Sequence, residues 1–196
     1  ISAINKVFSK ISSSNIIQLN NTCRIEGGDV ILNNKDIFIG YSKKDDFENF
    51  KVARTNESAV NEIKNIFPNK NVFSFELKKS DLKPTENALH LDCCFQPIGQ
   101  GFAIIYENGF KNKSDINLLI DIFGNNNLIR ISKQEMYEMN SNVFSISENI
   151  IVSEMGFNRL NNILREKGFI VEEIKFSEIA KMEGLLRCAT LPLYRK

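Results

Sequence analysis

The sequence predicts an α/β chain made by repeating one supersecondary unit, a β-hairpin followed by a helix and a closing strand. Three observations carry that prediction. Short apolar runs alternate as strands do, turns rich in Asn, Gly and Pro separate them, and the strand groups are spaced by stretches with helical apolar periodicity. The order returns three times, and repeated units of this kind stack around an axis because none buries its apolar face alone.

The first unit, 26–77, opens with Asp29-Val30-Ile31-Leu32, turns through Asn33-Asn34-Lys35 and returns as Asp36-Ile37-Phe38-Ile39-Gly40. Glu57 to Phe67 reads as its helix, with Val60, Ile63, Ile66 and Phe67 on one face and Pro68 as the stop; Asn71 to Leu77 closes the unit. The second, 89–131, pairs Leu89–Phe95 with Phe102–Tyr106 across a turn containing Pro97, Gly99 and Gly101. Ser114 is placed to cap a helix carrying Ile116, Leu119, Ile120 and Phe123 and ended by Gly124, after which Leu128–Ile131 is the closing strand. The third, 142–174, runs through strands Val143–Ile146 and Ile150–Ser153, a helix Phe157–Lys167 closed by Gly168, and strand Phe169–Ile174. A helix ending near Ile11 and a strand at Ile16–Leu19 read as the tail of an earlier unit. Residues 177–196 read as a closing segment, strand-like over Leu185–Leu191. No low-complexity linker divides the chain, so 1–196 is read as a single domain.

Composition narrows the function classes. With 196 residues, 42% of them hydrophobic and 10% aromatic, the chain can bury one substantial core and is not a disordered segment. A net charge of +1 without a basic cluster gives no field for steering nucleic acid or an anionic membrane. There is no apolar run of about 18 residues and no signal-like beginning, so no membrane span is expected and a cytoplasmic location is. The chain begins at Ile1 without a Met, which leaves an upstream segment or domain open. Cys23, Cys93, Cys94 and Cys188 form no CxxC pair, and His90 is the only histidine, so no zinc or other metal site is expected. Adjacent Cys93 and Cys94 would face opposite sides of a strand and pair poorly, and reduced thiols fit a cytoplasm.

Three junctions stand out chemically. In Glu26-Gly27-Gly28-Asp29 two glycines allow a sharp turn or close approach to a ligand, although a tight turn with solvated acids has the same composition. In Leu89-His90-Leu91-Asp92 strand alternation would set His90 and Asp92 on one face, where the acid could orient the imidazole or hold a cation; a solitary His is also at home in a core. In Arg187-Cys188-Ala189-Thr190 the thiol has the alternative of being a small core residue. Together they supply acid, base and thiol once each, at places a repeat architecture would gather at one end of its axis, and thiol chemistry is the joint reading.

These segments, with Arg187-Cys188-Ala189-Thr190 continuing into Leu191-Pro192-Leu193, resemble in their order the signatures of the amidinotransferase superfamily. Within it they are most similar to the arginine deiminase and dimethylarginine dimethylaminohydrolase branches. The resemblance covers essentially the whole chain and is specific for the superfamily rather than for a substrate. It implies an α/β propeller (pentein) of five ββαβ-type units around a pseudo-fivefold axis, of which this chain would hold the C-terminal three or so.

The same resemblance implies a cysteine-dependent hydrolase that converts arginine or an N-methylated arginine to citrulline through a covalent thiouronium. Cys188 would be the nucleophile, His90 the general acid and base, Glu26 the acid that supports it, and Asp92 the carboxylate that grips the guanidinium. Arg54, in Ala53-Arg54-Thr55-Asn56, matches the place of an arginine near the substrate carboxylate; Arg187 borders the pocket, and Asp29 binds substrate or holds the Gly-Gly turn. No metal or organic cofactor is implied. Relatives carry a further guanidinium-binding aspartate in an aromatic-x-Arg-Asp segment, and nothing before Glu26 matches it. The expected partners are therefore a small guanidino substrate and either an N-terminal remainder of the propeller or a second chain, with a homo-oligomer open. Amidino transfer to an amine, and a non-catalytic binding module, remain alternatives to hydrolysis.

Overall fold

The computed structural model describes residue 9, residues 11–182 and residues 184–190. Strand β1, Val30–Asn33, turns through Asn34-Lys35 into β2, Asp36–Tyr41, in the antiparallel register Asn33 opposite Asp36. Asn34 takes the positive φ of 54° that this two-residue turn demands and that Asn tolerates well. A short helix α1, Lys44–Asn49, precedes α2, Glu57–Ile66, whose first turn is capped by the Asn56 side chain accepting from the Ala59 N–H. The crossover returns the chain as β3, Asn71–Glu76, parallel to β2.

The second unit repeats this path with β4, Phe95–Gly99, β5, Phe102–Ile105, helix α3, Lys113–Phe123, and β6, Leu128–Arg130. Helix α4, Lys133–Tyr137, begins with a reciprocal capping box between Ser132 and Glu135. In the third unit β7, Phe144–Ser145, and β8, Ile150–Glu154, lead through α5, Asn158–Glu166, to β9, Ile170–Ile174. A last short helix, α6, spans Ser177–Ala180. The result is three mixed three-stranded sheets, each an antiparallel hairpin with a parallel third strand. Among the described residues no helix is long and apolar enough to cross a membrane.

Apolar residues from successive units meet in a shared core. Phe38 of β2 packs on Phe73 and Phe75 of β3, Phe95 of β4 and Phe123 of α3, with ring centroids between 5.3 and 6.1 Å apart. Burying each such ring contributes roughly 2–3 kcal/mol, so the first two units stabilise one another. A Lys111 ammonium lying 2.7 Å from Asp46 and 2.8 Å from Glu76 ties the same two units at their rim.

Leu89–Phe95 is not a strand: His90 is extended, Leu91–Cys93 form a 3-10 turn, and the strand starts at Phe95, where it was expected to end. The backbone groups of this stretch are taken elsewhere. Lys79 Nζ donates to the Ala88 and Leu89 carbonyls, Asp29 accepts the Leu91 N–H, and the Cys93 and Cys94 N–H groups close turns onto His90 and Leu91. Cys93 and Cys94 therefore lie in a turn, both buried, and Pro97 sits inside β4 rather than in the turn of Gly99, Gln100 and Gly101. Helix α3 starts two residues earlier than a Ser114 cap would allow, at Lys113, with Asn112 at the N-cap.

Ile16–Leu19 has no partner strand among the described residues and carries no ladder, leaving Ile16 and Ile17 exposed. Residues 186–189 form turns closed by bonds such as Ala189 N–H to the Leu185 carbonyl, not a strand. Most of the helix expected up to Ile11, and the run Leu191–Lys196, lie outside the described residues.

Candidate active site

Each unit's first strand is preceded by a short polar segment, and the fold sets these segments side by side. β4 packs along β7, and the turn at Leu91–Cys93 lies against both β1 and the 3-10 turn Gly27–Asp29. Glu26, His90, Asp92 and Cys188, from three stretches far apart in sequence, converge there.

His90 Nε2 lies 2.7 Å from Glu26 Oε2, with the imidazole largely buried and the carboxylate half exposed. Such a carboxylate fixes the ring's orientation. Asp92 is fully buried, and its Oδ2 accepts from the Cys188 thiol at 3.6 Å. Although strand alternation does not operate here, His90 and Asp92 still face one point, the Cα of Gly28. A Cβ at Gly28 would fall 2.8 Å from His90 Nδ1, 2.9 Å from its Cγ and 3.0 Å from Asp92 Oδ1, whereas one at Gly27 would meet nothing within 4 Å. Gly28→Ala is therefore expected to lower turnover about a hundredfold by displacing the imidazole, and Gly27→Ala to leave it nearly unchanged. Equal kcat/KM for the two folded variants would contradict this.

Asp29 is buried with both oxygens engaged: Thr55 Oγ1 donates to Oδ2 at 2.6 Å and the Leu91 N–H to Oδ1 at 3.0 Å. Burial pushes its carboxyl upward, against the fields of His90 and Lys79. It thus joins the Gly-Gly turn to the loop carrying His90. Arg54 lies beside the other oxygen of Glu26, Nε to Oε1 3.8 Å, and donates to the Lys51 carbonyl. Arg187 donates to the Val30 carbonyl at 3.2 Å, and its charge opposes the burial that raises the Asp92 carboxyl.

Electrostatics favour the neutral forms of both Cys188 and Asp92. Burial, then the Asp92 carboxylate, push the Cys188 thiol above its ordinary value, while burial raises Asp92 itself. A carboxyl raised on folding holds its proton more tightly in the native chain, so its penalty is fully present above the raised native value, fades as pH falls through that value, and is absent below the ordinary carboxyl value. Asp92→Asn is expected to raise native stability at pH 7 by about 1 kcal/mol, a gain that disappears near pH 3. Thermal unfolding at the two pH values checks it, and a lower midpoint at pH 7 would count against it.

Sequence reasoning missed Ser141 and Asn142. Ser141 Oγ donates to the Asp92 carbonyl at 2.9 Å, and Asn142 Nδ2 donates to Cys188 Sγ at 3.3 Å; both side chains are fully buried. The signal was positional. Asn140-Ser141-Asn142 stands before the third unit's first strand, as Glu26–Asp29 and His90–Asp92 stand before the other two. Among the described residues no three or more His, Cys, Asp or Glu side chains are grouped to hold a metal ion.

With this geometry in view, comparison with known proteins is informative. The family described as N,N dimethylarginine dimethylhydrolase, eukaryotic, matches residues 4–195. A Bacillus subtilis protein named as uncharacterized YkgA is 31% identical over 171 residues, covering 87% of this chain and 52% of that protein. The arginine deiminase of Oenococcus oeni is 24% identical over 213 residues, covering 90% of this chain and 48% of the enzyme. The chain thus spans about half the length of the curated relatives it matches. Apo ArgZ, an arginine dihydrolase of cyanobacteria, superposes with a TM-score of 0.78 at 21% identity over 97% of this chain and 28% of that one. A Pseudomonas aeruginosa dimethylarginine dimethylaminohydrolase complexed with citrulline gives 0.72 at 17% identity, over 95% and 63%. Both share the fold, a pentein-type α/β arrangement of small mixed sheets.

Proposed function

Because this chain belongs to the N,N-dimethylarginine dimethylhydrolase family, in the arginine deiminase and dimethylarginine dimethylaminohydrolase branch of the penteins, we propose that it hydrolyses the guanidino group of arginine or an N-methylated arginine to citrulline. One observation carries the reading: the Cys188 sulfur, 3.6 Å from Asp92, stands in the same cluster as the Glu26-supported imidazole of His90.

A guanidinium carbon is a poor electrophile because its charge is delocalised. Asp92 pairs with the guanidinium N–H groups and places the carbon at Cys188. The bound cation neutralises the carboxylate that disfavours a thiolate, so substrate binding itself prepares the nucleophile. The sulfur forms a bond to the carbon; the resulting tetrahedral adduct collapses with loss of the C–N bond, and His90 gives its proton to the departing amine. The thiouronium that remains is attacked by a water whose proton His90 takes; the C–S bond breaks, leaving the ureido product and the thiolate. Glu26 keeps the ring oriented through both halves. Arg54, beside Glu26, faces the substrate carboxylate, and Arg187 borders the pocket. Of the two roles open to Asp29, its engaged oxygens support that of holding the turn.

We further read residues 1–196 as one unit-built domain forming the C-terminal part of a five-unit propeller. Three hairpin–helix–strand units and relatives about twice as long support this, with the remaining units supplying a second guanidinium-binding acid. A screen of the full-length protein against arginine, its methylated forms, agmatine and peptidyl arginine, read as ureido product, tests the reading. Product appearing without an added amine is expected; product only with an amine acceptor would mean amidino transfer, and none with any substrate a binding module.

A further inference from the structure

Asp29, Asp92 and Asn142 occupy one position of the repeat. Each is a polar residue shortly before its unit's first strand, which begins at Val30, Phe95 and Phe144 respectively. Asp29 reaches across to the next unit and accepts the Leu91 N–H. Asn142 does the same one junction later, more extensively. Its Oδ1 lies 3.2 Å from the Leu185 N, 3.0 Å from the Arg187 N and 3.2 Å from the Cys188 N, so one amide oxygen gathers three backbone donors of the turn carrying the thiol. The difference is the second atom of the side chain. Where Asp29 has another acceptor, Asn142 has an N–H donor, directed at the Cys188 sulfur at 3.3 Å.

We propose that Asn142 is the positioning residue of Cys188, its carbonyl fixing the turn beside Asp92 and its N–H stabilising the sulfur as thiolate. The inference rests on Cys188 being the nucleophile, but its logic is local. An aspartate, sufficient for backbone bracing at Asp29, would place a second carboxylate beside a sulfur already facing that of Asp92, and an amide keeps the brace while supplying a donor. The charged and titratable groups around the sulfur are Asp92 and Cys93 from the second junction, His90 beyond Asp92, and Arg187 on the thiol's own turn. Among these, burial and Asp92 raise the thiol, while the Leu185 and Asn142 hydrogen bonds lower it.

The test is the pH dependence of iodoacetamide alkylation at Cys188, followed by peptide mass spectrometry on the folded full-length protein without substrate. Losing a hydrogen bond to an ionised sulfur is expected to move the alkylation midpoint upward by about one pH unit or more in Asn142→Ala, which introduces no charge. Asn142→Asp, which keeps the brace, is expected to move it upward as well and to keep the native thermal transition. A midpoint unchanged from the parent in either folded variant overturns the proposal, and the Asp variant decides should the Ala variant not fold. Because the readout needs no turnover, it is separate from the proposed hydrolysis: absence of ureido product in the parent protein would sink that reading while leaving the alkylation comparison intact.

Discussion

Cys188→Ala in the full-length protein is expected to abolish ureido release, with turnover falling by at least about a thousandfold, while the fold persists. The reason is chemical rather than structural. Cys188 is exposed, on a turn held through backbone groups by Asn142, so removing the thiol takes away little packing; a stability change within about 0.5 kcal/mol is expected. No other thiol can substitute. Burial pushes the Cys93 and Cys94 thiols well above their ordinary value, and Cys23 hydrogen-bonds to Glu62 on helix α2. Ureido colorimetry beside a thermal melt measures both arms. Product at the parent rate from the folded variant would remove Cys188 from the chemistry.

His90→Asn has the second large effect and a more particular signature. Asn is similar in shape and can retain a hydrogen bond to Glu26, but it moves no proton at neutral pH. Overall turnover is expected to fall by about 10²–10⁴-fold. The two halves of the reaction separate in this variant. An amine leaving group, which needs a proton to depart, becomes slow to expel; a substrate whose leaving group departs without one forms the thiouronium on Cys188 readily and then stalls, because no base activates the water. Steady-state rates with the two kinds of leaving group, compared between parent and variant, read the separation directly. Equal losses with both would mean that His90 does not deliver the proton to the amine.

Much of the fold was legible because each unit carries redundant local signals. The Asn33-Asn34-Lys35 turn, the apolar face of Glu57–Ile66 and the glycine ends at Gly124 and Gly168, both at positive φ, all point to the same unit, and all three units form. The misread stretch, Leu89–Phe95, shows why alternation alone is insufficient. Its apolar residues are buried as a strand's would be, but its backbone partners are the side chains of Lys79 and Asp29, and no periodicity reports such partners. The same holds at 186–189, where the partner is Asn142.

At the site, the charged residues were visible because acids, imidazole and thiol are scarce and chemically marked. His90 and Asp92 face the same point, yet through a 3-10 turn around Gly28 rather than by strand pleat. Asn142 escaped notice since an uncharged amide in a polar triplet carries no chemical mark; only its place in the repeat distinguishes it.

The central claim is a bond between one sulfur and one carbon. Acid-quenching the full-length His90→Asn protein with an arginine analogue whose leaving group departs without a proton, then weighing the intact chain and mapping its peptides, tests that bond directly. A mass increase equal to the analogue less its departing group is expected, confined to the Cys188 peptide and absent when Cys188 is also replaced by Ala. An unmodified Cys188 peptide in a variant that still releases ureido product would contradict it.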